Sequence, residues 1–236
     1  SVNIIKALVE GGADGLELGF PYSDPIADGP TIQKASIRAL SNKIKTDDCF
    51  EIIRQVRETY ADIPIGLLLY SNLILKRSIE KFYQDAAKAG VDSILIADVP
   101  LREADRFIAI AEQTGIKQIL IAPPNASDET FAQIGKKSQG YTYLLGRAGV
   151  TGAETAVTIP ASELIDKLTQ YKVAPPLLGF GISTPAQVED AIQSGAAGAI
   201  SGSATVNIIA ENLSQPDVML EKLKSFVKEM KAATHK

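Results

Sequence analysis

Residues 88–97 read KAGVDSILIA. An Ala-Gly pair at the end of an amphipathic segment suits a helix stop, because glycine takes the left-handed backbone that closes the last turn. The run that follows, Ser93–Ala97, is apolar at nearly every position instead of alternating. That pattern predicts a strand buried on both faces, as in a parallel sheet covered by helices. The same pairing of stop and strand recurs at Gly11–Asp14 before Leu16–Gly19 (LELG), and at Ser194–Ala197 before Gly198–Ser201 (GAIS). Apolar runs at Ile65–Tyr70, Gln118–Ala122, Tyr141–Leu145 and Pro176–Gly179 complete a set of seven predicted strands. Helices are predicted between them over Thr46–Tyr60, Ile79–Ala89, Glu103–Thr114, Asp128–Lys137, Ser162–Tyr171 and Pro185–Ser194. Ser127 or Asp128 can cap one of these, and Thr184-Pro185 supplies a cap and a first-turn proline for another.

The repeat is about thirty residues, the size of one β/α unit of an eight-fold barrel. No linker or low-complexity stretch interrupts it, so residues 1–236 are expected to form a single TIM-barrel domain. A doubly wound open sheet is the competing architecture, but no Gly-x-Gly-x-x-Gly follows an early strand. The chain opens inside a predicted helix, Val2–Gly11. A full (β/α)8 barrel would need one more strand ahead of it, so Leu16–Gly19 and Gly198–Ser201 are each expected to lack a partner on one side.

Composition narrows the chemistry. With 236 residues, 45% of them hydrophobic, the chain can bury one sizeable core. Its 24 basic and 28 acidic residues give a net charge of −4, which points away from nucleic acid. No apolar run is long enough to span a bilayer and the start does not read as a leader, so a cytoplasmic protein is expected. The one histidine, His235, is next to last in the chain, and the one cysteine, Cys49, reads as a packing residue. A zinc site built from nitrogen and sulfur ligands and a histidine-activated nucleophile are both excluded on those counts. No metal site is expected. Lys76, Lys117, Lys136 and Lys137 fall in loops, helices or at strand starts, which argues against a Schiff-base lysine at a strand end. Proton transfer must fall to carboxylates, tyrosines or lysines.

Active sites of such barrels lie at the C-terminal ends of the strands. If Leu16 and Leu18 face the helices, Glu17 faces the barrel interior, where a carboxylate is costly unless paired or used. The loop after it, Phe20–Pro30 (FPYSDPIADGP), is stiffened by three prolines and carries Asp24 and Asp28. Asp24 reads best as a turn residue, and spacing alone does not settle Asp28. Glycine-bearing loops follow the last three strands at Gly149–Ala153, Gly179–Ser183 and Ser201–Ala204. The last two lead into helices, and bare backbone N–H groups at a helix start form an anion site. A small molecule bearing a phosphate is the expected ligand.

Leu16–Ile32, LELGFPYSDPIADGPTI, closely resembles the signature of the tryptophan synthase alpha subunit family. The resemblance continues through Ile63–Tyr70, Gly90–Pro100, Pro123–Asn125, Tyr141–Gly152, Gly179–Ser183 and Gly195–Ser203, in order and along essentially the whole chain. It implies an eight-fold barrel that cleaves indole-3-glycerol phosphate to indole and glyceraldehyde 3-phosphate. It also implies a pyridoxal-phosphate beta subunit that receives the indole in an alpha2beta2 assembly, with no cofactor in this chain. By the resemblance, Glu17 and Asp28 stand in the places of the catalytic glutamate and aspartate. Leu68 and Leu95 match the indole pocket, and Tyr143, Thr151 and Gly152 match the loop that closes over the substrate. Phe180, Gly181, Gly202 and Ser203 match the phosphate site. The family carries a helix, a first strand and its loop ahead of the position of Val2. Two other readings stay open: another phosphate-binding barrel enzyme, and a non-catalytic subunit that binds and activates the beta partner.

Overall fold

A computed structural model describes residues 1–145, 161–179 and 181–235. The chain runs α1 (Val2–Glu10), β1 (Leu16–Gly19), α2 (Pro30–Ser41), α3 (Thr46–Thr59), β2 (Ile65–Leu69), α4 (Ser71–Leu75), α5 (Ile79–Ala89) and β3 (Ser93–Ile96). It continues with α6 (Asp105–Thr114), β4 (Lys117–Ala122), α7 (Asp128–Lys137), β5 (Thr142–Leu144), α8 (Ala161–Gln170), β6 (Pro176–Leu178), α9 (Pro185–Gln193), β7 (Gly198–Ala199), α10 (Ser203–Glu211) and α11 (Pro216–Ala232). Gly90 takes the expected left-handed conformation at φ 91° and closes α5 ahead of β3. Ser127 accepts the Thr130 N–H at the start of α7, and Thr184 accepts the Gln187 N–H at the start of α9, as their sequences predict.

All seven strands pair in parallel, in the order β1 to β7. A doubly wound sheet would reverse direction at a switch point, and this order has none. Among the described residues β1 pairs only with β2, and β7 only with β6, as expected for the sheet ends. The sheet curls. Glu17 of β1 and Gly202, three residues beyond β7, line one cavity, and the Tyr141 hydroxyl just before β5 reaches Glu17 across the interior.

Period-two alternation sorts the strand residues into two layers. Leu16, Ile65, Leu67, Leu69, Ile94 and Ile96 face outward and pack with Phe50, Ile53 and Val56 of α3 and Phe82 of α5. Leu68, Leu95, Ile119, Tyr141 and Tyr143 face inward and form a separate cluster. An equivalent outer core joins β4–β6 to Phe131, Ile134, Leu164, Leu168 and Val188. The first and last helices meet: Ala7 packs with Met219 and Leu223, and Lys224–Glu10 (2.7 Å) and Lys231–Asp14 (2.6 Å) flank that contact.

Candidate active site

A cavity of about 800 Å³ extends from the C-terminal ends of the strands past β1 to α1, α2, α3 and α10, where Ile4, Leu8, Ala35, Ile52 and Val206 also line it. Glu17, Asp28, Leu68, Tyr143, Gly181, Gly202 and Ser203 all line it, so residues spread over some 190 positions meet in one place. Leu95 does not. It is buried against Ile119 and Tyr143, in the inward cluster that Leu68 also joins. Thr151, Gly152, the rest of the Gly149–Ala153 loop and Phe180 lie outside the described residues.

Glu17 faces inward, as the flanking leucines imply, while Leu16 and Leu18 pack on the helix side. Its register partner is Gly66, which pairs in turn with Ser93. These two small residues leave room in the interior. A Cβ at position 66 would come within 2.8 Å of the Ser93 hydroxyl and 3.8 Å of the Tyr141 hydroxyl. Into that room Tyr141 projects its phenol, which donates to Glu17 Oε1 at 2.7 Å. Burial raises the Glu17 carboxyl to about 7, against the opposing pull of the Tyr141 bond. Desolvation, with the Glu17 charge adding to it, holds the Tyr141 phenol far above its usual range. Tyr141 is a site residue that sequence reading passed over in favour of Tyr143. The available signal was parity, since residues 141 and 143 share one face of a strand.

Asp28 lies half-buried on the loop between β1 and α2, and burial raises its carboxyl while a hydrogen bond from Tyr70 pulls it back. The Tyr70 hydroxyl also accepts the Ala27 N–H at 3.0 Å. Asp24 is exposed and accepts a hydrogen bond from its neighbour Ser23. Tyr143 belongs to β5 itself and not to a closing loop, which corrects the sequence reading. Its hydroxyl donates to the Gly179 carbonyl at 2.8 Å, and its ring covers Gly179 so closely that a Cβ there would overlap it.

The two glycine loops after β6 and β7 are not equivalent. Ser183 and Thr184, at the start of α9, both donate their N–H groups to the Gln187 side chain. Among the described residues no side chain caps α10, whose first residue is Ser203, and Gly202 precedes it on the cavity wall. A Cβ at Gly181 or Gly202 would meet nothing, although Gly181 needs glycine for its φ of 78°. Gln187 thus engages the Ser183 and Thr184 amides at the start of α9, while no described side chain caps α10. Among the described residues no cluster of three or more His, Cys, Asp or Glu is placed to hold a metal ion. No described helix is long and apolar enough to cross a membrane.

Comparison with known proteins places this geometry. The family model described as "Tryptophan synthase alpha chain" matches residues 1–235. The tryptophan synthase alpha chain of Vibrio parahaemolyticus is 59% identical over 236 residues, covering 100% of this chain and 88% of that protein. The crystal structure of tryptophan synthase subunit alpha from Legionella pneumophila superposes with a TM-score of 0.86 at 32% identity, over 99% of this chain and 86% of that one. A chain from the tryptophan synthase a2b2 complex of Pyrococcus furiosus gives a TM-score of 0.85 at 35% identity, over 98% of this chain and 91% of that one.

Proposed function

Because the chain belongs to the tryptophan synthase alpha chain family, lyases that cleave indole-3-glycerol phosphate, we propose that Glu17 and Asp28 carry that reaction here. The observation that carries the assignment is the Glu17 carboxyl, pushed up to about 7 inside the cavity that Asp28 also lines. An acid of that strength is present in both protonation states near neutral pH, so it can give a proton and take one back.

The chemistry follows from the substrate. Glu17 delivers a proton to C3 of the indole ring, and positive charge develops over the ring nitrogen. Asp28 accepts the ring N–H and stabilises that charge. The bond from C3 to the glycerol chain then breaks and returns its electrons to the ring. The Glu17 carboxylate takes the hydroxyl proton as the aldehyde forms, which regenerates the acid and releases indole and glyceraldehyde 3-phosphate. Leu68 supplies apolar wall for the ring, and the amides at the start of α10, with Gly181, Gly202 and Ser203, receive the phosphate. By the family pattern, Phe180, Thr151 and Gly152 complete the phosphate and closing-loop contacts. The pyridoxal phosphate belongs to a beta partner, in an alpha2beta2 assembly like that of the Pyrococcus relative. We place the enzyme in the cytoplasm.

The experiment is to incubate the chain with indole-3-glycerol phosphate, with and without a beta subunit, and to measure indole. Release that is lost in Glu17→Gln supports the assignment. A chain that releases no indole yet stimulates a beta subunit would overturn the catalytic role and leave a purely activating one.

A further inference from the structure

We propose that Asp98 is a positioning residue for Asp28, acting through Ser71 and the phenol of Tyr70. The inference rests on the reaction assigned above. Asp98 stands two residues past β3, and Ser71 opens α4 two residues past β2. The two carboxylate oxygens of Asp98 accept the Ser71 N–H and the Ser71 hydroxyl, both at 2.8 Å. Two bonds to one residue fix its orientation as well as its place, so the peptide joining it to Tyr70 cannot swing. The Tyr70 ring is buried and stacks on Tyr22 with centroids 5.2 Å apart. Asn72, on the same short helix, holds the Tyr22 hydroxyl at 3.0 Å. The Tyr70 hydroxyl is thereby presented to the loop after β1, where it accepts the Ala27 N–H at 3.0 Å beside Asp28, whose carboxyl it holds down against the effect of burial. Among the described residues neither Asp98 nor Ser71 lines the cavity while Tyr70 does, which makes Tyr70 the link from Asp98 to the site.

The test reads Asp28 itself by carboxyl ¹³C NMR titration of the full chain without substrate, beside kcat and KM for indole release. The ionisable groups about Asp28 are Glu17 of β1, Tyr70 after β2, Tyr143 of β5 and, beyond Tyr70, Asp98; Arg38 of α2 lines the same cavity. Asp98→Asn controls for lost charge, because the amide oxygen still accepts the Ser71 N–H. Tyr70→Phe should raise the Asp28 midpoint, and Asp98→Ala should place it above that of Asp98→Asn. Both should lower kcat about ten- to a hundredfold with little change in KM, the scale of a displaced catalytic group. Asp98→Asn should keep most of the activity. Equal Asp28 midpoints in Asp98→Ala and Asp98→Asn overturn the proposal, whatever happens to the melting temperature. If Asp98→Ala does not fold, Ser71→Ala removes one of the two bonds and must move Asp28 upward; an unmoved midpoint overturns the proposal there too. The titration needs no substrate, so a wild-type chain inert toward indole-3-glycerol phosphate would refute the assigned reaction while leaving this coupling measurable.

Discussion

Replacing Glu17 by glutamine separates two consequences of one buried carboxyl. The amide keeps the shape and can still accept the Tyr141 hydroxyl, but it has no transferable proton. Indole release should fall by about 10²–10⁴, the usual worth of a general acid–base group. Stability should move the other way, and its pH dependence carries the sharper test. The folded carboxyl titrates at about 7 against 4.5 in an unpaired glutamate. A raised folded value means that the native state holds the proton more tightly, so its contribution is complete below about pH 4.5 and is lost as the pH climbs through 7. At about 1.36 kcal/mol for each tenfold change in proton affinity, ionisation of Glu17 costs the native state roughly 3 kcal/mol at alkaline pH. About 2 kcal/mol of that cost develops between about pH 5.5 and about pH 9. Glutamine carries none of it. Urea unfolding of both proteins across that range should show the variant gaining on the wild type as the pH rises, with parallel slopes in denaturant. A stability difference that stays flat with pH would refute the claim that the cavity desolvates this carboxyl, and with it the reason for assigning Glu17 the proton.

Asp28→Ala should remove most of the activity, whereas Asp28→Asn should be milder than Glu17→Gln because an amide oxygen still accepts the ring N–H; steady-state indole release that ranks the two the other way would exchange their roles. Arg57→Ala should cost roughly 2–3 kcal/mol in denaturant unfolding with kcat unchanged, since its guanidinium bonds the Ala61, Ile63 and Gly90 carbonyls and the Asp92 carboxylate on the side of the sheet away from the cavity. Thr142→Val should leave stability unchanged or raise it by about 1 kcal/mol, because the fully buried Thr142 hydroxyl has no hydrogen-bond partner among the described residues; a clear loss in a thermal melt would mean that the hydroxyl is satisfied in solution.

The barrel was legible because its strands are uniformly apolar and its helices end on recognisable signals. Ile79–Ala89 and Asp128–Lys137 fall where the sequence places them. Glu17 was legible for a related reason: a carboxylate between two leucines in a strand has to face inward. What stayed hidden depends on distance in space. Nothing local says that Tyr141 reaches Glu17, a contact 124 residues apart that exists only because the sheet curls and residues 66 and 93 are small. Nor could spacing show that Gln187 occupies the Ser183 and Thr184 amides at the start of α9. Leu95 shares the inward parity of Leu68 and pairs with it in register, but its side chain is buried under Ile119 and Tyr143. The helix Pro216–Ala232 was not proposed, because a lone amphipathic segment outside the β/α repeat offers no strand on which to place it.

That last helix has a kinetic meaning. Its clasp on α1 joins positions more than 200 residues apart, as in the Lys231–Asp14 pair. Closing a loop of that length costs about 5 kcal/mol of chain entropy, so neighbouring β/α units should collapse first and the clasp should shut late. Until it shuts, β1 and the start of α10 are separate ends of an open ribbon, and the acid and the phosphate cradle are strangers in solution. Catalytic competence should therefore emerge as a distinct slow phase after most helical signal has returned on refolding. A mutation that loosens the clasp, such as Leu223→Ala, should lengthen that phase while leaving Glu17, Asp28 and Ser203 in place.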